Sequence, residues 1–175
     1  MILNRHGICI RNFFASQLDV YTSIPVMKQS PLPPLPCMCS SFRRTSRALT
    51  QLYEEAMRPL GLRATQFTIL LVLSRTGEVS QGQLGGMLAM DSTTLTRTLG
   101  IMSRHGWIAE RPGRDRRERL LRLSSGGEAQ LRRALPVWEK VQSRLRNQLG
   151  EQRWKNLLQL TNQVTDIATT LGESV

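Results

Sequence analysis

The sequence predicts a mainly α-helical domain carrying one small β-hairpin. Apolar residues recur three and four positions apart in segments from Ser41 to Leu171, the spacing that puts them on one face of a helix. Pro59, Gly61, Gly106 and Gly150 punctuate these segments with helix-stopping chemistry. Two short runs, Trp107 to Arg111 and Arg119 to Leu123, flank the turn-forming Pro112-Gly113-Arg114-Asp115 and read as paired strands.

A chain of 175 residues supports one compact domain with appended sequence. Its net charge of +11 is carried by arginine rather than lysine and points to an anionic partner. Charge alone admits either nucleic acid or an acidic membrane surface. No apolar run approaches a membrane span, so a soluble protein without a membrane role is expected. Cys9, Cys37 and Cys39 all precede the first convincing helix, which argues against a disulfide framework and fits a reducing cytoplasm. His6 and His105 are the only imidazoles, and metal-protease, paired-cysteine, phosphate-loop and nucleophile-elbow motifs are absent. Neither a metal nor another cofactor is expected, and no histidine base can be assigned beside Cys37 or Cys39 to make an enzyme.

Residues 1–40 read as a flexible tail. They lack sustained periodicity and contain Ser30-Pro-Leu-Pro-Pro-Leu-Pro36, which favours extended polyproline geometry. Met27 offers an alternative translation start that would leave residues 1–26 untranslated. From Ser41 a first helix places Phe42, Leu49, Leu52, Tyr53, Ala56 and Met57 on one face, with Arg43, Arg44, Arg47, Glu54 and Glu55 mostly opposite. Phe67 to Leu73 form a second apolar segment. A third begins at Ser80, with Gln83 at capping-box spacing and Leu84, Met87 and Leu88 as its buried edge. Asp91 stands at an N-cap position for the next helix, which turns Leu95, Leu99 and Met102 inward and Ser92, Thr93, Thr96, Arg97, Gly100 and Arg104 outward. Gly106 closes that helix in a left-handed conformation. After Ser124-Ser125, one long helix carries Leu131, Leu135, Trp138, Val141, Leu145 and Leu149, with Pro136 bending it. A last helix carries Trp154, Leu157, Leu158, Thr161, Val164, Ala168 and Leu171. These terminal helices offer more apolar surface than the small central lobe can cover, which predicts dimerisation through them.

The two helices around Asp91 match a helix-turn-helix, whose second helix lies in the DNA major groove. Helix hairpins are common in all-α proteins, but a merely solvated face would carry more glutamate and lysine than hydroxyls and arginine. The hairpin adds Arg111, Arg114, Arg116, Arg117, Arg119 and Arg122 against Asp115 and Glu118. A charge run in isolation is usually a solvated surface. One helix after a recognition element, it suits a minor groove, with Asp115 able to orient Arg117 by a charge-assisted hydrogen bond.

Asp91-Ser92-Thr93-Thr94-Leu95-Thr96-Arg97, His105-Gly106-Trp107-Ile108, Asp115-Arg116-Arg117 and Leu121-Arg122-Leu123-Ser124-Ser125-Gly126-Gly127 together resemble the multiple antibiotic resistance regulator (MarR) family of winged helix-turn-helix transcription factors. Ser124 stands where that family usually has threonine. The resemblance covers roughly residues 41–172. It implies a winged helix-turn-helix domain, with a DNA-binding lobe at about 62–124 and flanking dimerisation helices at about 41–60 and 125–172. It also implies a homodimeric repressor on a pseudo-palindromic double-stranded DNA operator. Carried over by position, Ser92, Thr93, Thr94, Thr96 and Arg97 face the major groove. Arg117 enters the minor groove with Asp115 orienting it, and Arg114 and Arg116 contact phosphates. Release by a small aromatic ligand or by cysteine oxidation is a further implication.

Cys37 and Cys39, beside Arg43 and Arg44, are candidate oxidant or soft-metal sensors, although no further ligand completes a metal shell. Unremarkable terminal thiols are the competing reading. Tyr53, Phe67, Leu71, Trp138 and Val141 are candidate walls of a ligand cavity, or plain core at helical spacing. His105 reads as a residue favoured by the helix dipole. The rival function is a winged-helix interaction or dimerisation module that does not read DNA sequence.

Overall fold

The structure, a computed structural model, describes residues 37–115 and 118–173. The chain divides into two compact units, Met1–Arg43 and Arg44–Val175. In the first, residues 37–43 open a helix in which Ser41 N and Ser40 Oγ both donate to the Cys37 carbonyl. That helix, α1 (Met38–Met57), starts three residues before the position its apolar pattern marks. Met38-Cys39-Ser40 contribute no apolar periodicity, so the pattern could not reveal them as helical.

The second unit continues through a 3-10 turn (Arg58–Leu60), α2 (Ala64–Thr76), β1 (Val79–Ser80), α3 (Gln81–Leu88), α4 (Ser92–Arg104), β2 (Ile108–Pro112), β3 (Arg119–Leu123), α5 (Ser125–Leu149) and α6 (Glu151–Glu173). Pro59 and Gly61 terminate the first stretch as their chemistry predicts: Pro59 sits in the 3-10 turn, and Gly61 takes the left-handed φ of +64°. Ser80 Oγ accepts from Gln83 N while Gln83 Oε1 accepts from Ser80 N, completing the capping box of α3. Asp91 Oδ1 accepts from Thr94 N at 2.8 Å and caps α4. Ser124 Oγ accepts from Gly127 N and donates to the Gly106 carbonyl, holding the start of α5 against the end of α4. Pro136 lies inside α5 without ending it.

The sheet is antiparallel in the order β1-β3-β2 and has three strands rather than the two of a hairpin. Val79 pairs with Leu121 and Ser80 with Leu120, while the β2–β3 register runs from Ile108–Leu123 to Pro112–Arg119. A two-residue strand is too short to display period-two alternation, so only its pairing identifies β1.

One core joins these elements. Met57, Leu62, Ile69, Leu70, Leu73, Leu84, Leu95, Met102 and Leu121 are essentially inaccessible to solvent. The inward set of α4, Leu95, Leu99 and Met102, is buried as its spacing requires. Two polar side chains work inside this unit. Buried Gln130 donates from Nε2 to the Leu60 carbonyl and ties α5 to the turn before α2. Glu54, expected on the solvent side of α1, instead accepts from Ala64 N at Oε1 and from Arg63 Nη1 at Oε2, docking the start of α2 on α1. No helix among the described residues is long and apolar enough to cross a membrane.

Candidate nucleic-acid interface

Helix α4 presents an exposed polar face. Ser92, Thr93, Thr94, Thr96 and Arg97 are all exposed, while Leu95 between them and Leu99 beyond them are buried. These side chains are not equally available. The amide and hydroxyl of Thr94 both bond the Asp91 carboxylate, and this holds Asp91 below the usual carboxylate range. Thr96 Oγ1 accepts a hydrogen bond of 2.7 Å from Nε2 of Gln81, the first residue of α3. Gln81 was not among the residues singled out by sequence. Its only signal is polarity beside the Ser80 cap, which says nothing about a partner fifteen residues away.

The hairpin loop is closed by Gly113 N donating to the Glu118 carbonyl and Glu118 N donating to the Asp115 carbonyl. Arg114 and Asp115 are exposed in this loop. Arg116 and Arg117, the latter the proposed minor-groove residue, lie outside the described residues. Gly113 is required by its surroundings, since a Cβ there would overlap the Glu118 side chain.

The strand arginines have individual roles that a count of charge conceals. Arg111 on β2 reaches past β3 to Glu78, which precedes β1, and bonds it through two nitrogens, Nε to Oε2 at 2.9 Å and Nη2 to Oε1 at 2.5 Å. This bidentate pair staples both outer edges of the sheet. It lowers the Glu78 pKa through the Arg111 hydrogen bonds, with the charges of Arg111 and Arg122 adding to the effect. Arg119 lies 3.8 Å from Glu110 across the β2–β3 pair. Glu78 was missed because its partner, 33 positions away, is set by strand register.

The cavity candidates sit in or against the core. Phe67 and Val141 are buried, Tyr53, Leu71 and Trp138 are half-buried, and the Phe67 and Trp138 rings pack at 6.0 Å between centroids. Phe67 belongs to the core, and Tyr53, Leu71 and Trp138 pack against it. Burial raises the Tyr53 pKa. A cleft of about 670 Å³ lies elsewhere, between α3, α4 and the start of β3, with Gln81, Gly85, Leu95, Thr96 and Arg119 on its walls. Cys37 and Cys39 are exposed free thiols. Among the described residues no three His, Cys, Asp or Glu side chains cluster to hold a metal ion.

A helix-turn-helix with its second helix exposed, followed by a three-stranded sheet with a basic hairpin, defines a winged helix-turn-helix protein. The chain belongs to the MarR family, whose model matches residues 60–118. The transcriptional regulator MosR of M. tuberculosis, solved in complex with DNA, is 32% identical, with 77% of this chain and 98% of that chain covered and a TM-score of 0.71. A MarR mutant from E. coli, solved with operator DNA, is 24% identical over 72% of this chain and 91% of its own, and its TM-score of 0.65 shows the shared fold. The uncharacterized HTH-type transcriptional regulator YwoH of Bacillus subtilis is 29% identical over 87 residues, which is 50% of this chain and 64% of that relative. The match therefore spans somewhat less than two thirds of YwoH.

Proposed function

We propose that this chain is a cytoplasmic, homodimeric regulator that binds a pseudo-palindromic DNA operator, represses nearby genes and performs no catalysis. One observation carries the reading: Ser92, Thr93, Thr96 and Arg97 stand exposed on α4 beside an arginine hairpin whose base is stapled by Glu78 and Arg111. A helix of small hydroxyls and arginine fits a major groove, and an arginine-bearing hairpin fits the adjoining minor groove or its phosphates. The MosR and MarR structures with DNA support this use of the same fold.

Dimerisation is supported by α6. Leu157, Leu160, Val164, Ile167 and Leu171 follow a three-four spacing along one face, and the three leucines and the isoleucine among them are 45% to 64% exposed. Such a stripe is a seam for another helix, here that of a second copy. Release is assigned either to a small aromatic ligand, with Tyr53, Phe67, Leu71, Trp138 and Val141 rearranging to admit it, or to oxidation at Cys37 and Cys39. Serine at both cysteine positions should then abolish any peroxide sensitivity of DNA binding; unchanged sensitivity would remove the oxidation route.

The direct test is a gel-shift titration of the purified chain on DNA flanking its own gene, over a series of salt concentrations, with a scrambled duplex as competitor. The reading predicts saturable binding that resists the competitor and weakens steeply with salt as counterions are released. Equal affinity for both duplexes would favour an interaction module that does not read sequence.

A further inference from the structure

We infer that Gln81 sets the base preference of α4 by fixing which way the Thr96 hydroxyl points its proton. The inference rests on α4 reading the major groove. Several threonines in the described helices donate their hydroxyl to the carbonyl four residues back, as Thr68, Thr76, Thr98, Thr161, Thr165 and Thr169 do. Thr96 makes no such bond among the described residues. Its oxygen instead accepts from Gln81 Nε2 at 2.7 Å, and its side chain remains exposed.

A hydroxyl has one proton and two lone pairs. With one lone pair engaged by Gln81, Thr96 keeps its proton and one lone pair, and the proton, which is not bonded to the carbonyl four residues back, is left to donate outward. Facing a base edge, an outward donor is matched by the acceptors of guanine (N7 and O6), adenine (N7) or thymine (O4) and is opposed by cytosine, which offers only its N4 amine. Gln81 thus determines sequence readout without itself occupying the centre of the recognition helix.

The neighbourhood leaves room for DNA at this pair. Beyond Gln81, α3 continues with Gly82, Gly85 and Gly86; a Cβ at Gly86 would meet nothing within 4 Å, and one at Gly82 would meet only Ser80 Oγ at 4.0 Å. The edge of α3 beside Gln81 is therefore bare backbone, the condition under which a nucleotide strand can come close. On its inner side, Gly85 sits against Leu95 and the Met90 carbonyl, so the two helices are held at close range and the bond from Gln81 to Thr96 is short.

The test is a selection from a randomised operator library, using the full-length chain as wild type, Gln81→Glu, Thr96→Val and Thr96→Ser. Wild type and Thr96→Ser should prefer guanine, adenine or thymine over cytosine, on the order of tenfold, at one position per half-site. Gln81→Glu replaces the donor with a carboxylate that can only accept, so the Thr96 proton turns inward and its lone pairs face the groove. The preference at that position should then vanish or shift to cytosine, while other positions keep theirs. Thr96→Val should erase the preference there. A Gln81→Glu protein that selects the wild-type sequence with uniformly lower affinity overturns the inference alone. A wild type that selects no sequence overturns the DNA-reading proposal and this inference together.

Discussion

Two exposed carboxylates, Asp91 and Glu78, hold the ends of the surface assigned to DNA. Asp91 starts α4 by receiving the amide and hydroxyl of Thr94, and Glu78 anchors the wing by receiving Arg111. Both have pKa values lowered by folding, Asp91 from 3.8 and Glu78 from 4.5. A lowered folded-state value means the contribution is fully present above the ordinary pKa and is lost as pH falls through the folded one. The melting temperature of Glu78→Gln should therefore lie below that of wild type at pH 7 and converge with it as pH falls through the lowered folded-state pKa of Glu78, below the ordinary carboxylate range, measured by circular dichroism. A gap that persists at low pH would show that the ion pair is not its source. The two residues also differ in legibility. A cap needs only a donor three positions away and is visible in sequence, whereas the partner of Glu78 depends on β1 pairing with β3 and β3 with β2.

Helix α4 and the corner that follows it form a single positioned element. Leu95 is 1% exposed and faces α3, so Leu95→Ala should cost about 2–5 kcal/mol in chemical denaturation by leaving a cavity under the recognition face. Gly127, in the first turn of α5, lies so close to the Trp107 carbonyl that a Cβ there would overlap it. Gly127→Ala should destabilise by about 1–3 kcal/mol, read from the same denaturation curves, while Gly86→Ala, with open space around it, should cost much less. Most of these elements could be read from the chain, because helix periodicity, N-caps and the left-handed Gly106 are local properties. The earlier start of α1 and the strand β1 were not legible, the first for want of apolar spacing and the second for want of length. The exposed polar side of α4 followed from its periodicity, but its internal division did not. That Thr94 serves the Asp91 cap while Thr96 bonds Gln81 depends on side-chain geometry that residue type does not disclose.

At the level of the whole molecule, the helices flanking the proposed DNA-binding lobe would fix the distance between the two copies of α4 in the proposed dimer. Glutamate in place of both Leu160 and Ile167 should convert the dimer to monomer in analytical ultracentrifugation and abolish operator binding, with the lobe still folded. A variant pair that remains dimeric would place the seam elsewhere. In contrast, Arg97→Ala and Arg117→Ala should each weaken specific DNA binding by about 1–3 kcal/mol and leave the dimer intact. The apolar stripe of α6 was visible in outline from the sequence, but Leu160 and Ile167 joined it only when their exposure was seen in the structure. The most direct measurement of the central claim is a hydroxyl-radical and methylation footprint of the full chain on the DNA beside its gene. Two major-groove patches about one helical turn apart are expected, flanked by minor-groove protection that disappears in Arg117→Ala. Protection spread evenly along the duplex, or a wild-type pattern unchanged by Arg97→Ala and Arg117→Ala, would contradict that claim.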